Sequence, residues 1–267
     1  MQLTAANLHA VKNLRHGFFG REGGVSQGVY ASLNCGYSGD DDPNCVLSNR
    51  SIAMDRLGLP ADCLTTVKQV HGVVTHQVKA PAPGRSTIEA DALVTDRPGI
   101  ALGVLCADCA PVLIADPQAG VIGAAHAGWR GALHGVVDSL VQAMIDLGAT
   151  ACDMIGAVGP CIAKASYEVG PDMRAAFEQT DPEGLRLFES IAGSDRYRFD
   201  LKAYVLTRFA RLGVADTQAL PEDTHGDQHR FFSARRSRNR GEPGFGLLLS
   251  AIALKDETSV GHVRTRP

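Results

Sequence analysis

Three residues in this chain carry chemistry at suggestive places. His71 stands in "KQVHG", Cys109 in "CADC" and His126 in "AAHAGWRG". In each case an apolar, strand-like run gives way to a glycine or a small turn, and strand ends are where rigid scaffolds mount site residues. Imidazole nitrogen and thiolate sulfur are the preferred donors for Zn²⁺. Three protein donors leave a fourth position open for water or substrate, which is the catalytic rather than the structural arrangement. The spacings are long and match no zinc-finger rule, so other readings stand beside this one. "CADC" is a C-x-x-C and could be a redox pair. That motif wants a helix N-terminus to lower the thiol pKa, whereas here Pro111 and a β-like run follow. Cys109 as thiolate with His126 as base would make a cysteine hydrolase pair. The plainest alternative is three buried core or turn residues.

The elements that must position these residues can be read from hydrophobic period. Residues 64–72, 91–96, 99–109, 111–116 and 120–126 are short apolar runs parted by turn residues, and predict strands, several buried on both faces. Residues 153–162 and 245–254 predict two more. Helices are expected at 43–59, with Pro43 in the first turn, at 132–148, stopping at Gly148, at 170–180, and at 200–213, capped by Asp200. Residues 20–36, 79–86 and 239–246 read as loops, and the arginine-rich 231–241 as a solvated basic loop or the rim of an anion-attracting pocket. Strands and helices mix without strict alternation. The expected fold is therefore α/β of the α+β type, a single domain over 1–267 with mixed or antiparallel sheet layers covered by helices.

Composition narrows the function classes. The 267 residues are 45% hydrophobic and 21% charged with net charge −3, as in ordinary globular proteins. A mildly acidic chain with 6% aromatics argues against nucleic-acid binding. No signal-peptide pattern opens the sequence and no apolar run approaches a membrane span, so a cytoplasmic protein is expected. Seven scattered cysteines, an odd number, read as reduced thiols.

Six blocks in order, "KQVHG", "EADALVTD", "CADCAPVLIADP", "AAHAGWRG", "GAVGPCI" and "FFSARR", make the chain resemble the YfiH-like, laccase-domain family. The likeness runs over nearly the whole length. That family was long described as multicopper polyphenol oxidoreductases and is now understood mainly as purine nucleoside phosphorylases with adenosine deaminase activity. The resemblance implies one α/β domain of stacked layers around a zinc centre, with copper as a possible substitute. Its ligands would be His71, Cys109 and His126. It implies purine nucleosides and phosphate as partners: adenosine, inosine, guanosine and methylthioadenosine. The sequence itself fixes no oligomeric state, and a monomer is favoured. Arg50 would meet phosphate, since a guanidinium fork suits an oxyanion. Asn34 and Ser32 would bond substrate or shape their loop, and Arg130 would bind an anion or hold its loop. Asp91 would orient a ligand histidine. Cys106 and Cys161 would lie beside the site, and Trp129 would stack on a purine or join the core. Asp108, next to Cys109, is a candidate proton donor for deamination.

Two features depart from the family pattern. Cys-Thr is often found before the "FFS" block, where this chain reads "EDTHGDQHRFFS". Thr-Gly-Arg often precedes the last strand, where this chain has "PGFG" with Phe245 in the arginine's place. Both bear on substrate preference and neither touches the three ligands. Against a multicopper oxidase stand nine histidines with no His-x-His pair. A zinc-stabilised binding module is the non-enzymatic alternative.

Overall fold

The computed structural model describes residues 1–255. Along the chain come β1 (Gln2–Leu3), α1 (Ala6–His9), β2 (Leu14–Phe19), α2 (Pro43–Arg56), β3 (Leu64–Thr65), β4 (Thr75–Gln77) and β5 (Ala92–Thr95). Then follow β6 (Ala101–Cys106), β7 (Ala110–Asp116), β8 (Val121–Ala127), α3 (Trp129–His134), α4 (Val136–Asp146) and β9 (Ile155–Val158). The last elements are β10 (Glu168–Val169), α5 (Pro171–Thr180), β11 (Phe188–Ser190), β12 (Tyr197–Phe199), α6 (Leu201–Arg211), β13 (Asp216–Ala219), α7 (Ala234–Arg240) and β14 (Leu248–Leu254).

Two mixed sheets carry the fold. One runs β13-β9-β7-β8-β5-β4 and the other β1-β2-β14-β6-β3, with a small third sheet β10-β12-β11. Most neighbours are antiparallel, but β13 on β9, β4 on β5 and β3 on β6 are parallel. The larger sheets face each other. Leu102, Val104 and Ile252 from one meet Leu113, Ile122 and Ala124 from the other in a shared core. On the outer face of the six-stranded sheet lie α4 and α6, and on that of the five-stranded sheet lies α2. This sandwich explains why β7 and β8 are buried at every residue and read as unbroken apolar runs. Among the described residues no helix is long and apolar enough to cross a membrane.

Helix α4 buries Val136, Val137, Leu140, Val141 and Met144, each worth roughly 1.5–3 kcal/mol when fully buried. It packs close to β8 because position 123 is glycine. A Cβ there would stand 2.7 Å from Leu140 Cδ1. The expected Asp200 cap is in place on the amide of Ala203, and Pro43 opens α2 behind an Asp42 cap, whose side chain accepts from the amide of Asn44.

Four expectations need correction. The helix expected over 132–148 is broken at Gly135, whose φ of 100° ends α3 and starts α4; the apolar period continues across the break and hides it. The strand expected over 64–72 stops at Thr65, apart from an isolated bridge at Lys68, because Asp91 draws the amides of Val70, His71 and Gly72 onto its carboxylate. His71 therefore sits in a turn at φ 61°. Cys109 does not end a strand either: β6 stops at Cys106, and Asp108 turns the chain at φ 88° into β7. Residues 234–240 form helix α7 rather than a loop, capped by Ser233 on the Arg236 amide.

Candidate metal centre

The turn before β7, the end of β8 and the 70–72 turn meet at one point. There the ligand atoms of His71, Cys109 and His126 all lie within 4.8 Å of one another. Cys109 Sγ is 3.8 Å from His71 Nε2, near the spacing of about 3.5 Å that two donors adopt on one tetrahedral zinc. The two imidazoles meet edge to face with centroids 4.7 Å apart. Gly128 makes room for the cluster. A Cβ there would stand 2.9 Å from His71 Cδ2 and 3.2 Å from Cys109 Sγ. His126 is buried, Cys109 half-buried and His71 exposed, so the cluster opens on the His71 side.

Asp91 organises this arrangement. Its Oδ1 lies 2.8 Å from His126 Nδ1, which assigns the proton to Nδ1 and leaves Nε2 for a metal. The same carboxylate accepts three amides of the His71 turn. One fully buried side chain thus sets two of the three donors. Burial disfavours the Asp91 anion, but the His126 hydrogen bond and the amides more than offset it and hold its pKa below the usual range. Burial likewise opposes the Cys109 thiolate, yet the charges of His126 and His71 bring its pKa down to about 6. The Cys109 thiolate and Asp91 hold the His126 pKa up against burial. A thiolate and two imidazoles at this spacing fit a borderline-soft divalent metal.

The triad lies in the wall of a cavity of about 850 Å³. Arg50, Trp129, Arg130 and Phe245 line it too. Arg50 is buried and bonds the carbonyls of Cys35 and Gly84 and the Thr66 hydroxyl, while its Nη2 has no partner among the described residues. Its guanidinium stacks on Tyr37. Asn34, in contrast, bonds Asp41 and the backbone of Gly36 and Leu247, and does not line the cavity. Ser32 bonds backbone of its own loop. Cys106 and Cys161 are buried outside the lining, and burial raises both thiols, Cys161 to about 12.

Sequence reasoning missed how Asp108 is used. Its Oδ1 accepts the Thr224 hydroxyl, and its Oδ2 the Ser233 hydroxyl and the Arg235 amide. Through these bonds Asp108 ties Thr224 and the start of α7 to the Cys109 turn. Tyr37, Tyr167, Arg235 and Arg238, which also line the cavity, were not singled out as substrate contacts. The arginine-rich 231–241, read as a basic loop or an anion-attracting rim, and the Ser233 cap within "FFSARR" were the signals for that end of the site.

A family model described as multi-copper polyphenol oxidoreductase laccase matches residues 15–255. The chain belongs to this family. Within the laccase-domain family, similar proteins include a purine nucleoside phosphorylase of Streptomyces coelicolor, 39% identical over 86% of this chain and 93% of its own length. Another is a purine nucleoside phosphorylase of Streptomyces griseus, 42% identical over 84% of this chain and 89% of its own. Among solved structures, a Neisseria meningitidis protein superposes with a TM-score of 0.84 at 35% identity, covering 96% of this chain and 99% of its own. The YfiH protein of Bacillus licheniformis reaches 0.84 at 28% identity, covering 92% and 95%.

Proposed function

We propose that this laccase-domain protein is a zinc-dependent purine nucleoside phosphorylase with adenosine deaminase activity. Adenosine, inosine, guanosine and methylthioadenosine would be its nucleosides. The observation that carries the reading is the His71–Cys109–His126 cluster in the wall of a cavity that also presents Arg50 with an uncommitted guanidinium edge. The names of the Streptomyces relatives supply the substrate class. The cavity volume of about 850 Å³ suits a nucleoside and a second small reactant. We also take the described layers to be one domain, because the core between the sheets joins β2 and β14 from opposite ends of the chain.

His71, Cys109 and His126 would hold the zinc, which supplies a Lewis acid and a water with pKa near about 7 when bound. The chain's own groups do the rest. Asp91 fixes the His126 tautomer and clamps the His71 turn. Arg50 offers Nη2 to a phosphate oxygen, its other nitrogens being anchored so that little freedom is lost on binding. Trp129 lines the same wall, packed on the core and with the Arg130 guanidinium over its ring, and so holds that cation at the cavity.

One observation favours a second reading. The lowered Cys109 pKa beside His126 and His71 is also what a metal-free thiolate nucleophile needs. Turnover of adenosine and inosine with and without phosphate separates the two. Phosphate-dependent release of free base, abolished by a chelator and restored by zinc, is the expected result. Turnover that persists after complete metal removal would move the chemistry to the thiolate.

A further inference from the structure

Helix α7 carries four arginines and the fold uses them in two ways. Arg236 is buried and donates to the carbonyls of Thr224, His225 and Phe231. Arg240 bonds Gln228 and pairs with Glu242. Arg235 and Arg238, three residues apart and so on one helix face, line the cavity that holds the metal cluster. Neither is ion-paired among the described residues. Arg130, at the start of α3, faces the same cavity, also without a paired carboxylate among the described residues.

Two of these groups are held in fixed planes. The Arg130 guanidinium lies 4.5 Å from the Trp129 ring centre, and that of Arg235 lies 5.3 Å from the Tyr167 ring centre. Arg235 Nη1 also donates to the Glu168 carbonyl at 2.7 Å. Stacking fixes a guanidinium plane and leaves its edge for an oxyanion. Among the described residues the one carboxylate in the cavity lining is Asp108, and its oxygens already accept from Thr224, Ser233 and the Arg235 amide. Like charges three apart on a helix repel, and a chain of net charge −3 has no general surplus of cations. Arg50 reaches the cavity from a different element, α2, and suffices for inorganic phosphate. Arg85 lines the cavity too, likewise without an ion pair among the described residues, so four further guanidinium groups without counter-charge call for a second anion, and Arg130, Arg235 and Arg238 are the three that lie on α3 and α7. Their number matches a phosphomonoester, with a charge of about −1.5 to −2, better than a single carboxylate.

We propose that Arg235, Arg238 and Arg130 form a second anion subsite that takes a phosphomonoester carried by the nucleoside, so that the cavity accepts purine nucleoside 5′-phosphates. This names a substrate class within the purine nucleoside reading and rests on it.

Calorimetric binding of adenosine and of adenosine 5′-monophosphate to the full, metal-replete chain tests the proposal. The monophosphate is expected to bind about tenfold more tightly than adenosine, the worth of one strong charge-assisted contact. That ratio is expected to collapse toward one in R235Q/R238Q. Arg238 is exposed, so R238Q alone should lower the ratio even if R235Q disturbs the Glu168 contact. Arg240→Gln, on the other side of the helix, should keep it. Adenosine binding with no advantage for the monophosphate overturns the subsite and leaves the nucleoside reading standing. So does an advantage that survives R235Q/R238Q. Binding of neither compound overturns both.

Discussion

His126 and Asp91 share a hydrogen bond of 2.8 Å in a fully buried setting, and the same carboxylate accepts the amides on either side of and at His71. Two ligands that lie far apart in sequence are thus aimed by one side chain. Asp91→Asn keeps the shape but supplies one acceptor oxygen where two are used, and it loses control of the His126 tautomer. Metal affinity, measured by chelator competition, should fall by about 10–100-fold. Unchanged affinity would mean that the cluster orients itself without Asp91.

Cys109 should differ from its buried neighbours in reactivity. Its pKa lies at about 6, whereas burial pushes the Cys161 thiol to about 12 and raises Cys106 as well. In metal-stripped protein, alkylation of Cys109 by iodoacetamide should stay fast at neutral pH and slow as pH drops through about 6, where the thiolate takes up its proton. Peptide mapping should find Cys106 and Cys161 unmodified, and added zinc should protect Cys109.

Acid should weaken the fold through His16. This side chain is buried in β2, accepts the Ala5 amide on Nε2, and has its pKa lowered to about 4, first by burial and then by the charge of His9. The unfolded chain, with a histidine pKa of about 6.5, binds this proton first, so stability rises with pH across the window. The contribution is complete above about pH 6.5 and is lost as pH falls towards 4. It amounts to at most about 3 kcal/mol. His16→Gln, which keeps an acceptor for the amide, should flatten this part of the Tm–pH curve; an unchanged slope would place the acid sensitivity elsewhere.

The helix break is testable at one residue. Gly135 has φ 100°, and a Cβ there would meet its neighbours at an ordinary 3.6 Å. Only backbone strain opposes a side chain, so Gly135→Ala should cost about 1–2 kcal/mol in a urea melt. A stabilised variant would mean that α3 and α4 can join into one helix.

Much of the scaffold was legible because burial on both faces writes itself as apolar runs. The strands β5, β6, β9 and β14 fall inside segments read as strands, and β7 and β8 overrun theirs by one residue each. The turns that hold the site were harder. His71 and Asp108 adopt positive φ without being glycine, and what keeps them there, the Asp91 and Asp108 hydrogen bonds, comes from distant sequence. Donor types and their places at strand ends nominated His71, Cys109 and His126, but only His126 lies within a strand. Arginine content marked 231–241 as basic. Which arginines face the cavity depends on α7 and its Ser233 cap, and a local reading could not sort Arg235 and Arg238 from Arg236 and Arg240.

The most direct test of the zinc-centred account is metal content and phosphate-dependent base release from adenosine, measured on the same preparations of wild type and Cys109→Ala. The account predicts close to one zinc per wild-type chain, with metal and base release both lost in the variant while the fold, checked by circular dichroism, persists. Base release retained by a folded, zinc-free Cys109→Ala protein would contradict it.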